Sequence, residues 1–160
     1  MERGLLKPSR MNDDSIANFM TPSLHTIGHD RSVDAAYELM RKFRVHHLPV
    51  LDGGKLVGIV SQRDLALVDG LEGVDASSLP VEELMSADVF TVAEDAPLAD
   101  VARRMAREHF GSAIVQRGLE IVGIFTTTDA LRALDFLLSS PGVKQALPRA
   151  LRPGASAKAS

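Results

Sequence analysis

The stretch GIVSQRD at residues 58–64 returns as GIFTTTD at residues 123–129, a shift of 65 residues. The same shift carries Met20 onto Met85, Thr26 onto Thr91, Asp30 onto Asp95, Met40 onto Met105, Val50 onto Val115 and Gly53 onto Gly118, with no gap from Met20 to Asp64. A gapless match of that length makes the chain two copies of one unit, which restricts the folds open to it. One such unit buries too little surface to be stable alone. Two copies packed face to face about a pseudo-twofold axis solve that problem.

The apolar periods are the same in both copies. After Asp30, a residue type that caps helix N-termini, Val33, Ala36, Tyr37 and Met40 recur at helical spacing. Leu98, Val101, Ala102 and Met105 repeat this face, with Pro97 expected in the first turn, where its missing N–H costs nothing. Two short apolar runs then flank Asp52-Gly53-Gly54, and two more flank Gly118. These read as hairpins whose glycines supply positive φ. Helices are expected from Ser61 and from Thr126, the second carrying Leu131, Leu134 and Leu138 on one face. The unit is therefore strand, helix, two hairpin strands, helix, and the fold class is α+β. The expected organisation is a flexible N-terminus over 1–14, a first unit over 15–70, a Gly/Ser/Asp-rich linker over 71–79 and a second unit over 80–138. A disordered tail over 139–160 follows, with room for a helical turn near 143–147.

Composition removes several classes of function. Without cysteine there is no disulfide, thiolate nucleophile or Cys-ligated metal. Aromatic residues at 4% and no Trp leave no base-stacking platform, and a net charge of −3 exerts no pull on nucleic acid, which is not an expected partner. No apolar run approaches the roughly 20 residues of a membrane span. The N-terminal stretch offers only two adjacent leucines, too few for a secretory signal, so a cytoplasmic location is expected. No Ser-His-Asp order, GxSxG or P-loop occurs, so no catalytic residue is expected. His46 and His47 are neighbours whose side chains alternate on a strand, and His25 and His29 precede the helix, so no metal site is expected.

The stretch MTPSLHTI…VDAAYELMRKFRVHHLPVLDGGKLVGIVSQRDL resembles a CBS (cystathionine-β-synthase) domain, and LMSADVFTVAEDAPLADVARRMAREHFGSAIVQRGLEIVGIFTTTDAL resembles a second. Two in tandem resemble a Bateman module. The shared features are the leading Met-Thr, LPV and the phrase Gly-hydrophobic-hydrophobic-Ser/Thr-x-x-Asp, and the likeness covers residues 15–138. Ile114 departs from it by standing where the first copy has Pro49. The resemblance implies two tandem strand-helix-strand-strand-helix motifs, a homodimer and a regulatory role. Many such modules bind adenine nucleotides or S-adenosylmethionine in the clefts between the copies. With no room left for an attached enzyme, it implies a stand-alone sensor or adaptor acting on an unidentified protein.

The repeated phrase has two readings. Ser61 and Asp64 stand at capping-box spacing, as do Thr126 and Asp129, and each pair could do no more than start a helix. Alternatively, an ionised Asp offers two acceptor oxygens to the paired hydroxyls of ribose. The resemblance implies that role for Asp64 and Asp129, with Ser61 and Thr126 beside them. Arg41, Lys42, Arg44, His46 and His47 precede Pro49, and Arg103, Arg104, Arg107 and His109 hold the matching place in the second copy. Most of these are expected to be solvated charges near a helix C-terminus. The resemblance implies phosphate contact for Arg44, whose counterpart is His109. Arg63, in a first helical turn, opposes the helix dipole, and a bound anion would compensate; Thr128 replaces it in the second copy. Adenine would lie against Thr26, Ile27 and His46 to Pro49 in one copy, and against Thr91, Val92, Gly111, Ser112 and Ala113 in the other. Gln62-Arg63 against Thr127-Thr128 makes the clefts unequal and favours the Asp64 cleft for a phosphate-bearing ligand. The expected ligand is AMP, ADP, ATP or S-adenosylmethionine, and the alternative is an adaptor or dimerisation module with empty clefts.

Overall fold

A computed structural model describes residues 14–22 and 25–139. The N-terminal stretch before these residues, and the tail after them with its turn near 143–147, lie outside the described residues. The first copy runs β1 (Ile27–Gly28), α1 (Val33–Phe43), β2 (His47–Asp52), β3 (Lys55–Ser61) and α2 (Gln62–Ala66). The second runs β4 (Thr91–Ala93), α3 (Leu98–Glu108), β5 (Ser112–Arg117), β6 (Glu120–Thr126) and α4 (Thr127–Ser139). Short 3-10 turns stand at Ile16–Asn18 and Val81–Glu83. Two helix starts differ from expectation. The cap of α1 is Ser32, whose side chain accepts from the Ala35 N–H, and Asp30 falls in the preceding turn. Pro97 is itself the N-cap of α3, with extended backbone, instead of a first-turn residue.

Each copy forms a three-stranded sheet in which the first strand pairs parallel with the second and the second antiparallel with the third. The same bulge interrupts both hairpins, between Val50 and Leu51 and between Val115 and Gln116. Gly53, Gly54 and Gly118 turn the hairpins at positive φ, as the sequence predicts. Pro49 and Ile114 hold the same register against Ile59 and Ile124. The substitution shows one strand away. The Ile114 N–H donates to the Phe90 carbonyl, and β4 begins at Thr91. Pro49 has no N–H to give, and β1 begins one position later, at Ile27.

The two cores exchange segments. Ile16 lies in the second core with Phe90, Val101, Met105, Ala113, Val115 and Phe125. Its counterpart Val81 lies in the first, with Val33, Ala36, Met40, Leu48, Val50, Val60 and Leu65. The Thr21 and Ile124 backbones exchange hydrogen bonds of 2.8 and 3.0 Å, and Ser86 and Ile59 exchange two of 2.9 Å. These two contacts map onto each other under the 65-residue shift, as pseudo-twofold packing requires. The expected linker also joins the first core: Leu79 and Ala76 pack on it, and their carbonyls accept from the Val33 and Asp34 N–H groups at the start of α1.

One locus holds opposite chemistry in the two copies. In the second, Arg117 makes two bonds of 2.7 Å to Glu94. In the first, the equivalent residues are Asp52 and His29, 3.5 Å apart, and His29 also meets Glu82 at 2.8 Å. The Glu82 hydrogen bond raises the His29 pKa above the ordinary 6.5, with Asp52 and Asp30 adding to it and desolvation opposing. This contribution to stability is therefore full below the unfolded value and lost as pH rises through the higher folded value. From about pH 6 to about pH 8, wild type is expected to lose more thermal stability than His29→Gln. Parallel melting profiles would refute this.

Candidate functional site

Both Asp corners form the expected capping bonds. Asp64 Oδ2 accepts from the Ser61 N–H at 2.7 Å and from the Ser61 hydroxyl at 2.6 Å, while the Asp64 N–H donates to Ser61 Oγ. Asp129 Oδ2 accepts from the Thr126 N–H at 2.9 Å and from the Thr126 hydroxyl at 2.8 Å. Beyond this the corners differ. Asp129 Oδ1 accepts from the Thr21 hydroxyl at 3.3 Å and from Arg132 at 3.0 Å. Among the described residues Asp64 Oδ1 accepts nothing. Asp129 is buried, with 4% of its surface exposed, and Asp64 is half-buried.

The exchanged segments determine what flanks each corner. Thr21 pairs with β6 and leads toward Thr26 and Ile27, so the first copy's leading segment borders the second copy's Asp129. Ser86 of the second copy pairs with Ile59 of β3, the strand that ends at Ser61 beside the first copy's Asp64. The Thr21 hydroxyl of the first copy thus meets the Asp129 carboxylate of the second. The starts of β2 and β5 approach each other: a Cβ built on Gly111 would lie 3.4 Å from His47 Nε2. Burial holds His47 below the ordinary histidine range, and His46 pushes the same way against the opposing charge of Asp64. His46 points elsewhere, to Gln62 at 2.6 Å.

Of the other anticipated site residues, Ile27 and Ala113 lie within the cores and Pro49 is fully buried, so their side chains serve packing. Val92 packs partly against the second core, Thr26 and Ser112 are half-buried, and Thr91, Arg63 and Thr128 are exposed. Arg44 and His109 are exposed residues ending α1 and α3 in the left-handed conformation, at φ 54° and 60°. The basic clusters are not alike. Arg103, Arg104 and Arg107 are each bound to Asp100 or Glu108, and the hydrogen bonds from Arg107 and Arg104 hold the Glu108 carboxyl below its usual range. Arg41 and Arg44 have no ion pair among the described residues, and with His46, Gln62 and Tyr37 they line a cavity of about 420 Å³. A second cavity of about 310 Å³ is lined by Thr91, Val92, Ala93, Gln116 and Gly118. Neither includes Asp64 or Asp129.

Sequence reasoning missed Thr21 and Arg132. The signal for Arg132 was present, because the 65-residue shift sets it against Leu67. Thr21 lies 108 residues from Asp129, and no local pattern joins them.

Comparison with known proteins agrees with this architecture. The family model described as "CBS domain" matches twice, over residues 16–69 and 81–135. The chain is 30% identical over 118 residues to the A-adding tRNA nucleotidyltransferase of Geobacter sulfurreducens, a match that spans 72% of this chain and only 13% of that enzyme. The CBS domain pair of protein MJ0100, in complex with 5′-methylthioadenosine and S-adenosyl-L-methionine, superposes with a TM-score of 0.69 at 27% identity, covering 76% of this chain and 96% of that one. CBSX2 in complex with AMP gives 0.67 at 30% identity, covering 77% and 97%. No helix among the described residues is long and apolar enough to cross a membrane. With both repeats matched by one family model and two sheet-and-helix units exchanging their leading segments, the chain belongs to the CBS domain family as a tandem pair.

Proposed function

We propose that this chain is a cytoplasmic regulatory protein that binds an adenosine-containing ligand, AMP, ADP, ATP or S-adenosylmethionine, through the ribose hydroxyls at an Asp corner. It catalyses no reaction itself and acts as a homodimer on another protein. The observation that carries this reading is Asp64, whose Oδ1 has no donor among the described residues although Oδ2 is held by the capping box. Complexes of two similar CBS pairs with adenosine compounds support it. Calorimetric titration of the full chain with the four ligands is expected to give saturable binding by at least one, weakened at least about tenfold in Asp64→Asn. That loss corresponds to one or two hydrogen bonds to a charged acceptor. Absence of heat and of any thermal shift with all four would sink the proposal.

The homodimer has its own support. Leu131, Leu134, Phe136 and Leu137 of α4 are 42% to 66% exposed, and Ala133 faces the core in their place. Leu131 and Leu134, which the sequence sets on one helix face, thus point outward, and exposed apolar patches of this kind mark interaction surfaces. Sedimentation is expected to give twice the chain mass, and Leu134→Glu to halve it. The same patch favours the second reading, a ligand-free adaptor. In that case Asp64→Ala costs about 0.5–2 kcal/mol of stability as a lost cap and changes no ligand affinity.

A further inference from the structure

We infer that the two Asp corners are unequal by construction, and that Thr21 and Arg132 close the Asp129 corner to ribose. The chain then takes one adenosine ligand, at Asp64. The inference rests on the adenosine reading above and adds which corner performs it. A carboxylate offers about four lone-pair sites. At Asp129 four donors fill them: the Thr126 N–H and hydroxyl on Oδ2, the Thr21 hydroxyl and Arg132 on Oδ1. A diol reaching this carboxylate must displace a bond already made. At Asp64 the two equivalent capping donors sit on Oδ2, and Oδ1 takes no donor among the described residues.

The difference is written in two side chains. Arg132 corresponds to Leu67, which has no donor, and Thr21 corresponds to Ser86, whose hydroxyl turns to the Asp88 carbonyl instead. Arg132 is itself 72% exposed, and an ion pair with an exposed partner is weak alone. The closure therefore rests on both donors together and on the burial of Asp129. The cations of the two copies differ as well: those of α3 are bound to Asp100 and Glu108, whereas Arg41 and Arg44 remain unpaired among the described residues.

The test is binding stoichiometry, measured with AMP, ADP, ATP and S-adenosylmethionine on the full chain. Wild type is expected to bind one ligand per chain, and Asp64→Asn to bind none at wild-type affinity. The double variant Thr21→Ala/Arg132→Leu is expected to bind two, and to keep one when Asp64→Asn is added. Two sites per chain in wild type, one site of wild-type affinity surviving Asp64→Asn alone, or no second site in the double variant would overturn the inference while leaving adenosine binding intact. A wild type that binds none of the four would remove the adenosine reading, and this inference with it. Circular dichroism and melting of each variant separate a lost site from a lost fold.

Discussion

Gly123→Ala is expected to destabilise the chain by about 1–3 kcal/mol, the usual cost of forcing a methyl group into filled space. The new Cβ would lie 2.9 Å from the Thr21 carbonyl oxygen and 3.1 Å from Met20 Cε, with Met20 Sδ closer still. A methionine side chain can move aside. The Thr21 carbonyl cannot do so freely, because it accepts the Ile124 N–H at 3.0 Å. Relief therefore requires breaking the contact that ties the first copy's leading segment to the second copy's sheet. Gly58→Ala is expected to cost a similar amount, since its Cβ would meet Met85 and the Ser86 carbonyl. Gly70, with nothing within 4 Å of the added methyl and no positive φ, is the control and is expected to change stability by less than about 0.5 kcal/mol. Urea unfolding at one fixed protein concentration checks all three. Equal midpoints for Gly123→Ala and Gly70→Ala would refute the steric account.

Phe125→Ala is expected to cost more, about 3–5 kcal/mol. Phe125 is among the largest fully buried side chains and touches the cluster that includes Ile16, Phe90, Val101 and Met105. Removing the ring leaves a cavity that these neighbours fill only in part. Because Ile16 arrives from the exchanged segment, the loss also weakens the joint between the copies. Val60 is the equivalent residue of the first core and is also fully buried. Val60→Ala removes less volume, so its cost is expected to be smaller. A domain is stable by only about 5–15 kcal/mol, so Phe125→Ala is expected to lower the urea midpoint substantially. A midpoint no lower than that of Val60→Ala would show that the second core is not packed as described.

Much of the local architecture was legible in the residues. Both hairpins stand where the glycines indicate, and the Ser61/Asp64 and Thr126/Asp129 pairs start their helices with the bonds their spacing allows. Short-range chemistry decides such features, so a window of a few residues contains the answer. Near misses also have local causes. Asp30 and Ser32 are both capping types, and the cap fell to Ser32, whose side chain reaches the Ala35 N–H. Periodicity placed Leu131, Leu134 and Leu138 on one face of α4 without saying where that face points. Ala130 and Ala133 occupy the inward side.

By itself, then, the sequence determined two copies of one α+β unit, the order of elements within each and the presence of an Asp corner at each third strand's end. Those features depend on neighbours along the chain. Only the tertiary structure decided that Ile16 completes the second core and Val81 the first, because exchanged and unexchanged packings use the same local sequence. It also decided that the glycine opening each repeated phrase makes room for a backbone arriving from the other copy. The two aspartates read alike in sequence and differ in the fold for the same reason. The Thr21 donor that helps to fill Asp129 comes from 108 residues away, and Asp64 receives no equivalent among the described residues.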